Sequence, residues 1–181
     1  THLHLMQSPW ELADFIFALK QHEKDTDFKI RNFLEVGFSS GQNNSLLNKF
    51  FNFDHIVGLD NFNSPINTSA LHANLRHKNL TLAIGDSTSE RVIDLVNKMG
   101  KYDLIFIDAN HTYEFVKKDF ENFSPFLEEG GVIAFHDVDC PDWLGINQFW
   151  KELEATGKYS MQTFVERGYR LQFGIGMLTI K

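Results

Sequence analysis

Five short apolar runs, each with an acidic residue at or beside its end, constrain the fold of this chain more than any other feature of its sequence. The apolar residues in each run are continuous rather than alternating, which is typical of strands buried on both faces of a sheet. Because helical patterns lie between the runs, we expect right-handed strand–helix–strand units and a doubly wound parallel sheet. The predicted strands are residues 30–36, 55–60, 80–84, 102–108 and 131–137.

Six segments before, between and after these runs have the spacing of amphipathic helices, with one apolar face for the sheet. Ser8 with Glu11, and Ser87 with Glu90, have the spacing of N-terminal capping boxes, so we expect helices to begin there. The predicted helices are residues 8–21, 44–51, 64–77, 87–100, 116–127 and 146–156.

Two further apolar segments near the C-terminus leave no room for a helix between them, which predicts an antiparallel hairpin at one edge. They cover residues 159–166 and 171–180 and are joined by the turn-like sequence RGY. The predicted fold class is α/β: a doubly wound, Rossmann-like, seven-stranded, mostly parallel sheet with a C-terminal antiparallel β-hairpin and helices on both faces. We assign residues 1–181 to one domain, with 1–29 as the N-terminal helix and lead-in and 30–181 as the Rossmann-like core.

The composition narrows the function classes. A formal net charge of −7 argues against a sequence-independent nucleic-acid binder, which needs a basic surface. Cys140 is the only cysteine, so an intrachain disulfide is excluded and we expect a reducing, cytoplasmic setting. No apolar run approaches the roughly 18 residues of a membrane span, so we expect no membrane partner.

The carboxyl ends of the predicted strands carry the candidate site. In open parallel sheets, ligands bind beyond these ends, at the point where the strand order reverses. An acid at every strand end is more than solubility requires, since other polar residues would serve equally well. The polar residues at this edge are Glu35 to Gly41, Asp60 and Asn61, Asp86 and Ser87, Asp108 to His111, and His136 and Asp137.

The first strand runs into a glycine- and serine-rich turn typical of nucleotide sites. Gly37 and Gly41 lack a Cβ, so the backbone can turn sharply and approach a ligand closely. Asp60 ends the second predicted strand, where an acid can accept hydrogen bonds from both hydroxyls of a ribose. The glycine spacing is G-x-x-x-G rather than the G-x-G-x-x-G of dinucleotide sites. The alternative is a tight strand-to-helix turn that holds no ligand.

The ends of the fourth and fifth predicted strands carry a second group of candidate functional residues. Asp108 and Asp137 close neighbouring strands, so their carboxylates can converge on one divalent cation. A cation that holds vicinal hydroxyls lowers their pKa. His111 lies three residues after Asp108 and suits a general base at neutral pH. The alternatives are helix-capping or solvated acids, and a turn histidine bonded to the backbone.

These motifs resemble those of class I S-adenosylmethionine-dependent methyltransferases. The turn, Asp60 and "GDS" (85–87) carry the general resemblance. The stretches "YDLIFIDANHTYEFVKKDF", "GGVIAFHDVD", "GINQFWKEL" and "FGIGML" are similar to a cephalosporin-hydroxylase-like subgroup that includes metal-dependent sugar O-methyltransferases of macrolides. The resemblance extends from Gln7 onward. It implies an enzyme that uses S-adenosylmethionine and a divalent metal, Mg²⁺ or Mn²⁺, to O-methylate a hydroxyl of a sugar or small polyol.

The resemblance also implies roles for individual residues. The methionine part of the cofactor would lie at Glu35 and the 37–41 turn, the ribose at Asp60 and the adenine beside Asp86. The implied cofactor-binding residues are Glu35, Gly37, Phe38, Ser39, Gly41, Asp60, Asn61, Asp86, Ser87 and Asp108. His111 would be the catalytic base, and the implied metal ligands are Asp108, His136 and Asp137.

One position departs from the family pattern. His136 stands where the macrolide enzymes carry a carboxylate, and a nitrogen donor favours Mn²⁺, Fe²⁺ or Zn²⁺ over Mg²⁺. His136 can instead hydrogen-bond the substrate. Trp143 lies in the loop beside the predicted site. Packing is a simpler role for this residue than forming one wall of a substrate pocket.

Three other functions stay open at this stage. They are a nicotinamide-dependent oxidoreductase on a similar sheet, a catalytically inactive cofactor-binding module, and a methyltransferase that needs no metal. The expected partner is a small-molecule acceptor, with neither nucleic acid nor a membrane. A homo-oligomer is also open, because the first helix is the only predicted cover for the pocket and a partner subunit would complete it.

Overall fold

The computed structural model describes residues 8–166 and 173–181 as a seven-stranded sheet flanked by helices. In chain order, the elements are α1 Pro9–Thr26, β1 Asn32–Val36, α2 Gln42–Leu47, β2 His55–Asp60, α3 Thr68–Asn74, β3 Leu80–Ile84, α4 Glu90–Lys98, β4 Tyr102–Ile107, α5 Tyr113–Phe123, a 3₁₀ turn Ser124–Phe126, β5 Leu127–His136, α6 Leu144–Ala155, β6 Tyr159–Phe164 and β7 Ile175–Ile180.

The sheet order is β3-β2-β1-β4-β5-β7-β6. β1 to β5 pair in parallel, whereas β7 runs antiparallel to both β5 and β6. The strand order reverses between β1 and β4, which is where a ligand is expected in a doubly wound sheet. The predicted fold class is confirmed, including the antiparallel pair at one edge. The RGY turn between these two strands lies outside the described residues, and the assignment of the whole chain to one domain stays a prediction.

Two apolar layers cover the two faces of the sheet. On one face, Val116 and Phe120 of α5 and Phe149 of α6 pack with Ile105 and Phe135 of the central strands. On the other face, the buried residues of α1 pack against β1, β4 and β5. β4 is buried along its whole length, as its continuous apolar run predicts. Sandwiching the central strands in this way fixes the positions of their carboxyl ends.

Several predicted helix ends are wrong, and local hydrogen bonds explain the differences. α3 begins at Thr68 rather than near residue 64, because the Asn67 side chain accepts a hydrogen bond from Ala70 N and caps the helix there. α4 begins at Glu90 with Ser89 at its N-cap. Ser87 is not its cap, because Asp86 Oδ1 accepts hydrogen bonds from Thr88 and forms a separate turn before the helix.

The capping box predicted for α1 is also wrong. Ser8 precedes the helix but its hydroxyl donates to Glu166 Oε2 instead of capping the first turn. Glu11 Oε1 accepts a hydrogen bond from Glu166 N at 3.0 Å. Both side chains therefore tie α1 to the chain just after β6. The helix also extends to Thr26, five residues beyond its predicted end.

Candidate active site

A cleft of about 510 Å³ opens at the carboxyl edge of the sheet, where the strand order reverses. It brings together loops that follow four strands: β1 supplies Gly37 and Ser39, β2 supplies Asp60 and Asn61, β3 supplies Asp86 and Ser87, and β4 supplies Asp108 and His111. His136 ends β5, Asp137 follows it, and both contact this last pair. The structure thus gathers residues that are far apart in the chain into one concave surface, which is the expected form of a small-molecule site.

Gly37 allows the turn after β1 to lie directly against the loop after β4. Its φ is 94°, in the region that glycine adopts without strain. A Cβ at this position would lie 2.0 Å from the backbone oxygen of Asp108. Gly37 N and Phe38 N both donate to the carbonyl of Leu59 at the end of β2. The turn is therefore fixed by its neighbours on both sides.

The Asp60 carboxylate is held in place by backbone donors at the mouth of the cleft. Its Oδ2 accepts a hydrogen bond from Ser39 N at 2.7 Å, and its Oδ1 accepts one from Phe62 N at 2.6 Å. A carboxylate oxygen has more than one acceptor site, so both oxygens can still accept hydroxyl hydrogens from a ligand. The Asp60 carboxylate is thus held in one orientation and keeps acceptor sites for a ligand.

Three of the predicted cofactor residues, Glu35, Phe38 and Gly41, are not among the residues that line this cleft. The Phe38 ring is buried, and a Cβ on either Gly41 or Gly58 would collide with it. Phe38 therefore packs beneath the turn, which leaves only its backbone to approach the cleft. Glu35 is also buried, and its Oε2 has no hydrogen-bond partner within the described part of the chain. Burial, reinforced by the nearby Asp108, raises the pKa of Glu35 well above its usual range.

The loop after β3 rests on α5. Asn122 Nδ2 donates to the carbonyl of Ser87 at 3.3 Å. Asp119 is completely buried in the same region, and neither of its carboxylate oxygens has a hydrogen-bond partner in residues 8–166 and 173–181. Burial raises the pKa of the Asp119 carboxyl to about 6. Sequence reasoning missed this acid, although its position three residues after Val116 and four before Phe123 places it on the apolar face of α5.

Asp108, His111, His136 and Asp137 form one compact cluster, whose potential ligand atoms all lie within 4.8 Å of one another. His111 Nε2 lies 2.8 Å from Asp137 Oδ2 and 3.6 Å from Asp108 Oδ1. His136 Nδ1 lies 3.2 Å from Asp137 Oδ2 and 3.5 Å from Asp108 Oδ1. The predicted base and the three predicted metal ligands are therefore neighbours.

Opposite charges stabilise each other in this cluster. Burial disfavours the charge on both histidines, but the carboxylates of Asp108 and Asp137 outweigh it. They raise the pKa of His111 to about 9 and that of His136 to about 10. Burial likewise opposes ionisation of Asp108, yet the histidines hold its pKa at about 2 and also lower the pKa of Asp137. The cluster thus stabilises the charged forms of all four side chains.

Trp143 lies in the loop before α6, at a position for which the sequence left packing and a pocket wall as alternatives. Its indole stacks on the His111 imidazole, with ring centroids 4.7 Å apart and an interplanar angle of 21°. It lines the cleft and is 44% exposed, so it is not the packing residue that the sequence suggested. The stack joins residues that are 32 positions apart in the chain, and no local sequence pattern predicts such a contact.

Comparison with known proteins identifies the family. The chain matches a family described as "Methyltransferase domain" over residues 34–138, which includes the carboxyl end of every strand that contributes to the cleft. The chain belongs to this methyltransferase family. The resemblance to class I S-adenosylmethionine-dependent methyltransferases, and with it the class of enzyme, is confirmed. The match favours a methyltransferase over the nicotinamide-dependent alternative.

Two curated relatives of the chain are described as uncharacterized proteins. One, from Sinorhizobium fredii, is 36% identical over 77 residues, which is 42% of this chain and 8% of that protein. The other, from Acanthamoeba polyphaga mimivirus, is 24% identical over 147 residues, which is 73% of this chain and 64% of that protein. The chain therefore spans less than two thirds of the length of either relative.

Solved structures with low sequence identity share the fold of the methyltransferase. An O-methyltransferase from Bacillus cereus in complex with SAH is 18% identical with a TM-score of 0.71, covering 99% of this chain and 84% of that one. TomG from Streptomyces achromogenes, in complex with SAM, is 14% identical with a TM-score of 0.66, covering 99% and 92%. MycE, in complex with Mg, SAH and mycinamycin VI, is 15% identical with a TM-score of 0.66, covering 94% and 53%.

The four-residue cluster fits a divalent metal by its own geometry. Ligands bonded at about 2.0–2.2 Å to one ion lie about 3 Å apart, and the four histidine–carboxylate separations run from 2.8 to 3.6 Å. The 2.8 Å contact between His111 Nε2 and Asp137 Oδ2 lacks the angle of a hydrogen bond, so that buried nitrogen has no hydrogen-bond partner among the described residues. Asp137 Oδ1 is buried and without a partner in the same part of the chain. Atoms that converge without bonding each other are what an ion site provides.

A separate observation concerns membranes. Within residues 8–166 and 173–181, none of the helices of the methyltransferase combines the length and the apolar character needed to cross a bilayer.

Proposed function

We propose that the chain transfers the methyl group of S-adenosylmethionine to a hydroxyl of a small-molecule acceptor, a sugar or other small polyol, with help from a divalent metal. The single observation that carries this proposal is the convergence of two sites in one cleft. Asp60, the proposed acceptor of the ribose hydroxyls, lines the same cleft as Asp108 and His111, which belong to the Asp108–His111–His136–Asp137 cluster.

The cofactor is proposed to lie along the loops after β1, β2 and β3. Asp60, already oriented by Ser39 N and Phe62 N, would accept the ribose hydroxyls. Glu35 would face the methionine part, where the positively charged ammonium would favour its ionised form and satisfy the buried Oε2. Asn61, Asp86 and Ser87 would surround the adenine. The solved relatives in complex with SAM or SAH support this use of the fold.

The metal is proposed to bind Asp108 and Asp137, with His136 Nδ1 as a third ligand. When bound, a divalent cation would hold acceptor hydroxyls and lower their pKa. His111 would then take the hydroxyl proton. It can do so only as the neutral imidazole, and a cation held by Asp108 and Asp137 would favour that form because it repels the imidazolium charge. The carboxylates would thus both bind the metal and, once it is bound, release His111 to act as base.

His136 distinguishes this cluster from an all-oxygen magnesium site. The imidazole of His136 adds a nitrogen donor to the two carboxylates, and Mn²⁺, Fe²⁺ and Zn²⁺ bind nitrogen donors more readily than Mg²⁺ does. We therefore propose that the site accepts Mn²⁺ at lower concentrations than Mg²⁺.

The direct test is transfer of a labelled methyl group from S-adenosylmethionine to a panel of vicinal diols, with and without EDTA. We expect transfer that EDTA abolishes and that Mn²⁺ restores. His111→Ala should lower kcat by 10²–10⁴-fold, the typical contribution of a general base. His55→Ala, a substitution at the opposite end of the sheet, is the matched control and should leave kcat unchanged.

The outcomes separate the parts of the proposal. Methyl transfer that persists in EDTA would contradict the proposed need for a metal but not the proposed methyltransferase activity. A full rate in His111→Ala removes that residue as the base. Cofactor binding without transfer to any acceptor would favour the inactive binding module.

A further inference from the structure

Trp143 is the feature of the cleft that the proposed chemistry does not use. It precedes α6 in a loop whose backbone is fixed at several points: Trp143 N donates to the carbonyl of Cys140, and Asn147 Nδ2 donates to the carbonyl of Val138 at 2.9 Å. These hydrogen bonds fix the backbone from which the indole projects.

A close backbone contact places this loop beside His111. Gly145, in the first turn of α6, lies so near the turn before α5 that a Cβ there would be 2.3 Å from Tyr113 N and 2.7 Å from the carbonyl of His111. The start of α6 therefore packs directly on the residues that carry the imidazole. This packing makes the stack between Trp143 and His111 a consequence of the fold.

The indole has two different environments. One face lies on the His111 ring, whose Nε2 reaches Asp137 Oδ2 at 2.8 Å on the side of the cluster. The remaining surface of the indole belongs to the cleft wall, which also includes Phe115, itself 38% exposed. An aromatic surface next to carboxylates suits a molecule with an apolar ring face and hydroxyls at the ring edge.

We propose that Trp143 is a positioning and acceptor-selecting residue: it holds His111 against the two carboxylates and receives the apolar face of a ring-bearing vicinal diol. This inference rests on the proposed function, since it concerns the acceptor of that reaction. The C–H face of a pyranose and the π face of a catechol share the required chemistry. Acyclic diols lack it.

The experiment compares cyclic and acyclic diols on three variants. Binding of catechol, a methyl glycoside with vicinal hydroxyls, and glycerol is measured by calorimetry on protein saturated with S-adenosylhomocysteine and Mg²⁺. We expect at least one cyclic diol to bind about tenfold more tightly than glycerol, a difference of the size that aromatic contacts provide. Trp143→Ala should lose that preference, and Trp143→Phe, which keeps a ring, should retain most of it. Trp10→Ala removes a tryptophan that is 69% exposed on α1 and should change nothing.

Tryptophan fluorescence and kinetics give independent readouts. The emission change on adding the preferred cyclic diol should be present in the unaltered chain and in Trp10→Ala but absent in Trp143→Phe. Under turnover, Trp143→Ala should raise KM for the cyclic diol about tenfold and KM for glycerol less than twofold. It should also lower kcat for both, because His111 loses its support.

Two results would overturn the inference. One is equal binding of cyclic and acyclic diols by the unaltered chain, and the other is a Trp143→Ala variant that keeps the preference. A chain that transfers no methyl group but shows the cyclic preference and the Trp143-dependent emission change would refute the proposed function and leave the ring-binding wall. Preference for the glycoside over catechol, or the reverse, identifies the source of the ring.

Discussion

Asp137, the first residue after β5, has a φ of 63°, a left-handed backbone conformation that residues other than glycine rarely adopt. The turn coincides with a carboxylate that contacts both His111 and His136. Backbone conformations of this kind cost free energy and persist where the surroundings hold them, often at functional sites. The geometry at Asp137 thus agrees with a site organised around that side chain.

Removing the charge of either carboxylate should therefore weaken metal binding. We expect Asp108→Asn and Asp137→Asn to lower Mn²⁺ affinity by more than about 100-fold, since even residues that only support metal ligands contribute 10–100-fold. Titration followed by electron paramagnetic resonance measures the free ion. Asp139→Asn, at an exposed acid two residues after Asp137, is the matched control and should bind Mn²⁺ normally. Unchanged affinity in Asp137→Asn would contradict the assignment of this ligand.

Gly37 offers a test of the turn that shapes the cofactor end. Gly37→Ala adds a Cβ at a positive φ and within 2.0 Å of the Asp108 carbonyl oxygen. Backbone strain costs about 1–2 kcal/mol and overpacking about 1–3 kcal/mol more, so we expect the free energy of unfolding to fall by about 2–5 kcal/mol. Chemical denaturation measures it.

Gly157→Ala separates these two costs. Gly157 has a similar left-handed backbone, with a φ of 66°, but within the described chain nothing lies within 4 Å of its added Cβ. In that variant, backbone strain alone should lower the free energy of unfolding, by about 1–2 kcal/mol. Equal losses in the two variants would show that the contact between Gly37 and Asp108 is looser than the structure has it.

At the scale of elements, α5 carries both apolar packing and the buried carboxyl of Asp119 beneath the loop after β3. Burial raises the pKa of Asp119 to about 6 in the folded chain, above its ordinary value of 3.8. The folded state therefore binds a proton more readily than the unfolded state between these two values. Stability should fall as the pH rises from about 4 to about 6, and the full cost should be present above pH 6.

Asp119→Asn should relieve that cost. We expect the variant to be more stable than the unaltered chain at pH 8, by up to about 3 kcal/mol, and the gain to vanish below pH 4. Urea unfolding across this pH range measures the difference. Asp94→Asn removes a charge from an exposed position on α4 and should change stability by less than about 0.5 kcal/mol at any pH. A gain in Asp119→Asn that does not depend on pH would mean that its source is not the buried charge.

Elements differ in how far the sequence predicts them. The bounds of β2 and β3 match their predictions, because buried parallel strands appear as uninterrupted apolar runs. The cap of α1 was mispredicted, because Ser8 bonds a residue 158 positions away. The residues of the candidate site also differ in how far the sequence predicts them. The strand-end acids are visible in sequence, whereas the burial of Phe38 and the stack on Trp143 depend on contacts between distant segments.

At the scale of the whole molecule, the fold turns separate strand ends into one cleft. Family membership and the sheet order agree on where the cofactor should lie, at the reversal between β1 and β4. The cofactor that the chain binds distinguishes a methyltransferase from a nicotinamide-dependent oxidoreductase on a similar sheet. A methyltransferase binds S-adenosylmethionine, whereas a dehydrogenase binds NAD.

Calorimetric titration with both cofactors tests this central claim most directly. We expect S-adenosylmethionine to bind with a micromolar Kd, about −8 kcal/mol, and NAD to give no heat of binding. Asp60→Asn should weaken binding about 10–100-fold, the value of hydrogen bonds to a charged group. Asp54→Asn, at the amino end of the same strand, should leave it unchanged. Binding of NAD in preference to S-adenosylmethionine, or full affinity in Asp60→Asn, would contradict the account.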